Sequence, residues 1–481
     1  MRYVSELTLT ARSPARTEWA GDGGRTNDPS LRQRRNNFDL LRLLAATQVV
    51  YVHSVVFLDI EARGLLSTVN SVAAVFPGVP IFFVISGFLV SQSFENSANA
   101  RDYFHRRALR VYPALWVCFA VTLLLVGTFV LVERLTDRDF TSVGDGFFWS
   151  WTLPVWAISQ VTVGQFFAPP VSFGVGNTNP SLWTIPVEIA FYLCLPLLYW
   201  LLIRPLRRSI SSAVLVGVAM LSFVAWYVGR FTIAGSEGRD ELTSVVVPPP
   251  GVRVLEQTPL PYLYWFILGV LMWRHFGAAV PYLRDRLLLW TAAYVLLAYA
   301  PIWFEAEWIQ STPAYQLARA VGLAAWCVSF ALSFRGVSHR LLRGLDLSFG
   351  LYLYHMLIIN SLVELHLGGS IGWILITYLA TGVLALLSWK LVERPALKTR
   401  RLFGGPWSVS APPAPHLLAV ARRETARFDD RALEGDDNGR TTNRTARDSH
   451  DPHIQPGRST PRHHPERPGS VRQGHRAVRL G

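Results

Sequence analysis

Arg42 and His53 stand eleven residues apart in the first long apolar segment, FDLLRLLAATQVVYVHS. At about 100° and roughly 1.5 Å per residue this is three helical turns plus about 20°, so the two side chains share a face some ~16 Å apart along the axis. A guanidinium grips anionic oxygens bidentately. An imidazole that titrates near neutrality accepts the proton of a weakly nucleophilic hydroxyl, worth typically ~10²–10⁴ in rate. Asp39, three residues before Arg42, is placed to pair with it. A later segment, NPSLWTIPVEIAFYLCLP, sets Ser181, Thr184, Glu188 and Tyr192 on one stripe. A third, LSFGLYLYHMLIIN, does the same with Ser348, Tyr352 and His355. Structural roles compete with these: His355 as a packing residue with one satisfied hydrogen bond, Glu188 as a tie between helices through Trp183 or Tyr192, and the arginines of the run 105–110 as simple anchors at a membrane edge.

The elements that must position these groups are transmembrane helices. The chain has 481 residues, 51% hydrophobic and only 16% charged, with a mean hydropathy of +0.26. Soluble domains carry roughly 25% charge, and here the apolar residues gather in blocks of about twenty, the length that crosses roughly 30 Å of hydrocarbon. Ten such blocks lie near 38–60, 72–94, 110–132, 181–203, 210–231, 259–276, 286–304, 316–334, 347–366 and 371–391. The expected fold is therefore all-α and polytopic, with about ten transmembrane helices. The connections after every second block are basic (RDYFHRRALR, RPLRR, RGVSHRLLR, ERPALKTRR), whereas those on the other side mix signs or are acidic. Lys and Arg stay on the cytoplasmic face, which puts both termini in the cytosol and the protein in the plasma (inner) membrane. Ionisable groups at membrane depth are costly, so the three polar seams are expected to face one another around a wet cavity.

The net charge of +13 divides into +3 over residues 1–37, +4 over 405–481 and +6 between. This is too dispersed for a nucleic-acid surface. Cys118, Cys194 and Cys327 each lie in an apolar run with no metal-ligand spacing, so neither a disulfide framework nor a zinc site is expected. Residues 1–37 lack the apolar core of a secretory signal and read as a disordered cytosolic leader. The Arg-, Pro- and His-rich stretch 401–481 reads as a disordered cytosolic tail, leaving 38–400 as the membrane domain. The connection 133–180, rich in aromatic stretches, is the longest on the outer side.

Five motifs occur together in one order: Arg42 with His53, PIFFVISGFLVSQSF (80–94) followed by FHRRALRVYP (104–113), SLWTIPVEIAFYL (181–193), LSFGLYLYH (347–355) and LVERP (391–395). In this the chain resembles the acyltransferase-3 family of integral membrane enzymes, which O-acylate polysaccharides, lipopolysaccharide and some macrolides. The resemblance implies transfer of an acyl group, acetyl foremost, from cytosolic acyl-CoA to a hydroxyl of a carbohydrate or glycosylated small molecule, with no bound cofactor and no metal. It assigns His53, Glu188 and His355 to the chemistry and Arg42, Ser86, Arg106, Arg107, Arg110, Trp183 and Tyr352 to substrate binding. Within those roles His53 is the expected base, Glu188 would fix its tautomer or place the acceptor hydroxyl, and His355 would hydrogen-bond the oxyanion or the acceptor. The chain departs from the family at Ile189, where a second acidic residue often stands, so a carboxylate pair is not expected. Membrane lipid, acyl-CoA and the acceptor are the expected partners. A transporter or flippase is the alternative reading, weakened because no Gly/Pro-broken segments appear in corresponding halves.

Overall fold

The computed structural model describes residues 36–97, 99–136, 152–162, 173–233 and 258–403. The expected leader and tail lie almost wholly outside these residues, as does much of the 133–180 connection. All described residues fall in one compact unit, Met1–Ser408, and they contain helices and no strand. In chain order the helices are α1 (Phe38–Phe57), α2 (Leu65–Val75), α3 (Gly78–Glu95), α4 (Ala100–Thr136), α5 (Thr152–Thr162), α6 (Thr184–Leu198), α7 (Arg208–Tyr227), α8 (Leu263–Arg274), α9 (Phe276–Leu283), α10 (Leu287–Trp303), α11 (Pro313–Leu332), α12 (Val337–Leu342), α13 (Ser348–Glu364), α14 (Gly372–Ser388) and α15 (Arg394–Phe403).

Each of the ten expected apolar blocks falls on a helix. Among the described residues, seven helices are long and apolar enough to cross a membrane, or eight if the bent pair α8 and α9 counts as one. α10 and α13 are shorter, at 17 residues each. The outward side chains are apolar, with Leu124, Trp200, Leu288 and Leu379 well exposed. In water such a surface would be an aggregation liability; in hydrocarbon it is matched.

Two local outcomes differ from the sequence reading. The basic run 101–110 belongs to α4 rather than to a connection, because nothing in it breaks a helix and Asn99 caps the start, its side-chain oxygen accepting from the Asp102 N–H at 2.9 Å. α8 and α9 meet at a 92° bend next to His275, a broken element that the sequence did not signal.

Small residues set the closest helix crossings. A Cβ on Gly87 of α3 would lie 2.0 Å from the Phe266 carbonyl oxygen, and one on Gly269 of α8 would lie 2.1 Å from that of Val84. Backbone-to-backbone contact of this kind is how membrane helices gain dispersion energy where no hydrophobic drive separates protein from lipid. Around the crossing, Phe88 is fully buried against Phe38, Trp273 and Phe276. α1 packs on both α3 and α13, which brings the first and third polar seams together.

Candidate active site

His53 of α1 and His355 of α13 meet, with His53 Nδ1 2.8 Å from His355 Nε2. The rings are stacked, 5.1 Å between centroids and 20° between planes. His355 Nδ1 faces the carbonyl oxygens of Leu351 and Tyr352 at 3.1 and 2.9 Å. Carbonyls only accept, so this nitrogen carries the proton and Nε2 offers its lone pair. His53 Nδ1–H then donates to it, which leaves His53 Nε2 as a free lone pair. The pair is thus a one-way relay: backbone carbonyls fix His355, and His355 fixes the tautomer and ring plane of His53.

His53 faces a cavity of about 320 Å³ walled by Gln48, Trp183, Trp226, Tyr262, Trp265 and Tyr352. Below it lies a neck of about 90 Å³ that includes Arg42, Ser86, Arg107, Glu188 and Tyr352. The neck shares Arg42, Arg107 and Arg110 with a mouth of about 500 Å³, where Asp39, Arg106 and Asp346 join them. The three spaces adjoin in series, from an arginine-rich mouth at the start of α1 to the imidazole about three turns further on.

Tyr352 stands where the upper cavity and the neck meet. Its hydroxyl donates to the Ser181 carbonyl at 2.6 Å and accepts from the Thr184 hydroxyl at 2.6 Å. Asn179 secures the same turn, its amide donating to the Leu353 carbonyl at 2.8 Å while its oxygen accepts from the Ser181 hydroxyl at 2.7 Å. Further along α13, Asn360 donates to the carbonyls of Asn177 and Thr178 at 2.8 and 2.9 Å, and Glu364 accepts from the Gly174 N–H at 2.6 Å. The strand-free segment 173–183, which delivers Trp183 to the cavity wall, is therefore pinned to the helix that carries His355.

The arginines of the mouth are not equivalent. Arg42 pairs with Asp39 at 3.1 Å, as its spacing implies, and Arg106 pairs with Asp102 one turn earlier. Arg110 lies between two acids, 2.7 Å from Asp346 and 3.9 Å from Glu393. Among the described residues Arg107 pairs with no carboxylate: it donates to the Ser93 hydroxyl at 3.2 Å and lies over the Tyr192 ring, and its buried Nε has no partner there. Asp346 lies in the short connection before α13. Burial tends to raise its carboxyl, and Arg110 and Arg42 outweigh this and hold it below the ordinary carboxylate value.

Of the candidate site residues, His53 and Trp183 line the upper cavity, Tyr352 lines it and the neck, Ser86 and Glu188 line the neck, Arg42, Arg107 and Arg110 line neck and mouth, Arg106 lines the mouth, and His355 is reached through His53. Glu188 lines the neck and accepts a hydrogen bond from Tyr192. The ring nitrogen that meets His53 is that of His355. Ser86 reaches the neck with its hydroxyl buried and unpartnered among the described residues, while the adjacent Gly87 and Phe88 serve packing. Asp346, Glu393, Asn179 and Gln48 were not singled out. Asp346 had a signal, as an acid that closes the basic stretch RGVSHRLLRGLD just before the third seam.

A family model described as an acyltransferase domain matches residues 35–392. The chain is 32% identical to Nodulation protein 10 of Rhizobium leguminosarum bv. viciae over 381 residues, covering 76% of this chain and 94% of that protein. It is 26% identical to Acyltransferase MdmB of Streptomyces mycarofaciens, over 64% of this chain and 73% of that one. It is also 30% identical to an O-acetyl transferase of Shigella phage Sf6, over 33% and 44% of the two chains. No solved structure matches. A polytopic helical body, an imidazole pair at a cavity in series with an arginine-rich mouth, and a family match over nearly all of that body give one answer: the chain belongs to the acyltransferase-3 family and is a membrane O-acyltransferase.

Proposed function

We propose that the protein transfers a short acyl group, acetyl foremost, from cytosolic acyl-CoA to a hydroxyl of a carbohydrate or glycosylated metabolite, from within the inner membrane and with both termini cytosolic. The observation that carries this is the series of three cavities, which joins a mouth suited to a polyanion to an imidazole with a free lone pair. Arg107, Arg42 and Arg106 are the phosphate ligands of this reading, since charge-assisted bidentate contacts suit them. Arg110, held by two carboxylates, shapes the mouth. The pantetheine arm lies in the neck, where Ser86 and Glu188 offer hydrogen bonds to its amides.

The acceptor occupies the aromatic upper cavity. His53 Nε2 takes the hydroxyl proton as the oxygen attacks the thioester carbonyl carbon. The C–S bond then breaks, and the thiolate leaves with the proton from the imidazolium, so the enzyme returns to its starting state. His355 keeps Nδ1–H of His53 engaged throughout, and no bound cofactor or metal takes part in this scheme.

The test is mass spectrometry of surface glycans and secreted metabolites from wild type, a deletion strain, and the deletion complemented with wild type or His53→Ala. One ester should vanish on deletion, return with the wild-type copy and stay absent with His53→Ala at normal membrane levels. An ester restored by His53→Ala removes the catalytic assignment, and a compound retained unmodified inside the deletion strain points instead to a transporter.

A further inference from the structure

On the donor reading above, the reacting carbonyl must pass from the neck to the cavity that holds His53, past the side chains that the two spaces share. The neck measures about 90 Å³, between spaces of about 320 and 500 Å³. The side chains that line both the neck and the upper cavity are Val79, Phe83 and Tyr352.

Each of the three sits among contacts that hold it or its backbone. Tyr352 is held through its hydroxyl by Ser181 and Thr184. Phe83 is buried with its ring edge-on to Phe191 at 5.2 Å and tilted against Tyr262 at 5.9 Å. Val79 follows Gly78, whose N–H donates to the Gln48 side-chain oxygen at 2.8 Å, while the Gln48 amide donates to the Ala73 carbonyl at 2.9 Å. A Cβ at Gly78 would lie 2.4 Å from the Ala45 carbonyl oxygen, so the first turn of α3 is pressed onto α1.

We infer that Val79, Phe83 and Tyr352 form a gauge that selects the acyl group by width rather than by length. A straight chain keeps one cross-section however long it is, so adding a methylene at its end does not widen what must pass. A branch at the carbon next to the carbonyl does widen it, at the point that reaches the aperture with the reacting carbon. A methylene in the wrong place against an apolar wall changes rates by about 10- to 200-fold, which sets the size of the expected effect.

The experiment uses the full-length protein in membranes of its source cells, which supply the acceptor, and three donors: acetyl-CoA, n-butyryl-CoA and isobutyryl-CoA. The last two are isomers, so their rate ratio reports shape at constant composition. Because both rates come from one preparation, any loss of folded protein cancels. Wild type should use acetyl and n-butyryl and disfavour isobutyryl against n-butyryl by at least about 10-fold. Phe83→Ala, and independently Val79→Ala, should bring that ratio close to one. Equal rates for the two isomers in wild type, no use of either isomer while acetyl is used, or a ratio unchanged in both variants would each overturn the gauge and leave the donor reading standing. If wild type consumes no thioester at all, the donor reading fails and the gauge with it.

Discussion

His53 and His355 make the sharpest predictions at the scale of single residues, because their bond fixes which nitrogen is basic. Removal of the base by His53→Gln should lower the transfer rate by about 10²–10⁴-fold. His355→Leu leaves His53 Nδ1–H without its acceptor and frees the ring to change tautomer, with an expected loss of about 10²-fold or more in kcat at saturating donor. His355→Gln keeps a carbonyl in reach and should recover part of it; equal activity in the two His355 variants would contradict the relay. Arg107 and Arg110 separate binding from structure. Arg107→Ala should raise KM for the donor and weaken its dependence on salt, whereas Arg110→Ala, which strands Asp346 and Glu393, should chiefly lower the melting temperature. Asp346 gives the pH dependence. Its carboxyl is depressed in the folded protein, so its contribution to stability is complete above about pH 4 and is lost as pH falls through the folded value. Asp346→Asn should cost about 1.5–3 kcal/mol near neutrality, as for other hydrogen bonds to charged groups, and the gap in melting temperature from wild type should close below about pH 4. A gap of the same size at pH 3 would refute the account of Asp346.

At the scale of the helix, α3 carries both packing and chemistry. Ser86 points to the neck while Gly87, next to it, lets α3 and α8 touch backbone to backbone. Gly87→Val should therefore overpack the crossing, at a cost of roughly 1–3 kcal/mol or more, read as a lower melting temperature in detergent. Ser86→Ala should leave melting unchanged and alter only the kinetics. This division was partly legible in the sequence. The helical period placed Arg42 and His53 on one face, and Asp39 beside Arg42, because those relations are local to one helix. It also put Thr184 on the seam where its hydroxyl meets Tyr352, whereas Ser181 meets Tyr352 through its main-chain carbonyl, which no side-chain stripe signals. The pairing of His53 with His355 rather than Glu188 was not legible. It depends on the rotation and depth of α1 against α13, which the side chains of both helices set jointly. The bend at His275 escaped for a related reason: neither Pro nor Gly occupies the break itself.

At the scale of the whole molecule the proposed reaction is directional: donor from the arginine mouth, acceptor from the aromatic cavity, imidazole between. The proposed orientation would make His339, which lines the mouth, cytosolic, and His366, beyond the far end of α13, external. Single cysteines at these positions, in a variant lacking the three native ones, should react with a membrane-impermeant maleimide only in inside-out vesicles for the first and only in right-side-out vesicles for the second. This sidedness rests on the basic and acidic connections, because the positive-inside bias acts on loops and needs no packing. A cavity between the polar seams was expected, but its division into three spaces had no such signal, since that arises where several helices fail to fill space together. The most direct measurement of the central claim is transfer of label from [¹⁴C]acetyl-CoA to base-labile ester in inside-out vesicles containing wild type or His53→Gln at equal levels. The account predicts label with wild type, little or none with His53→Gln, and none in sealed right-side-out vesicles, whose lumen the donor cannot enter. Undiminished labelling with His53→Gln, or labelling from the outer face, would contradict it.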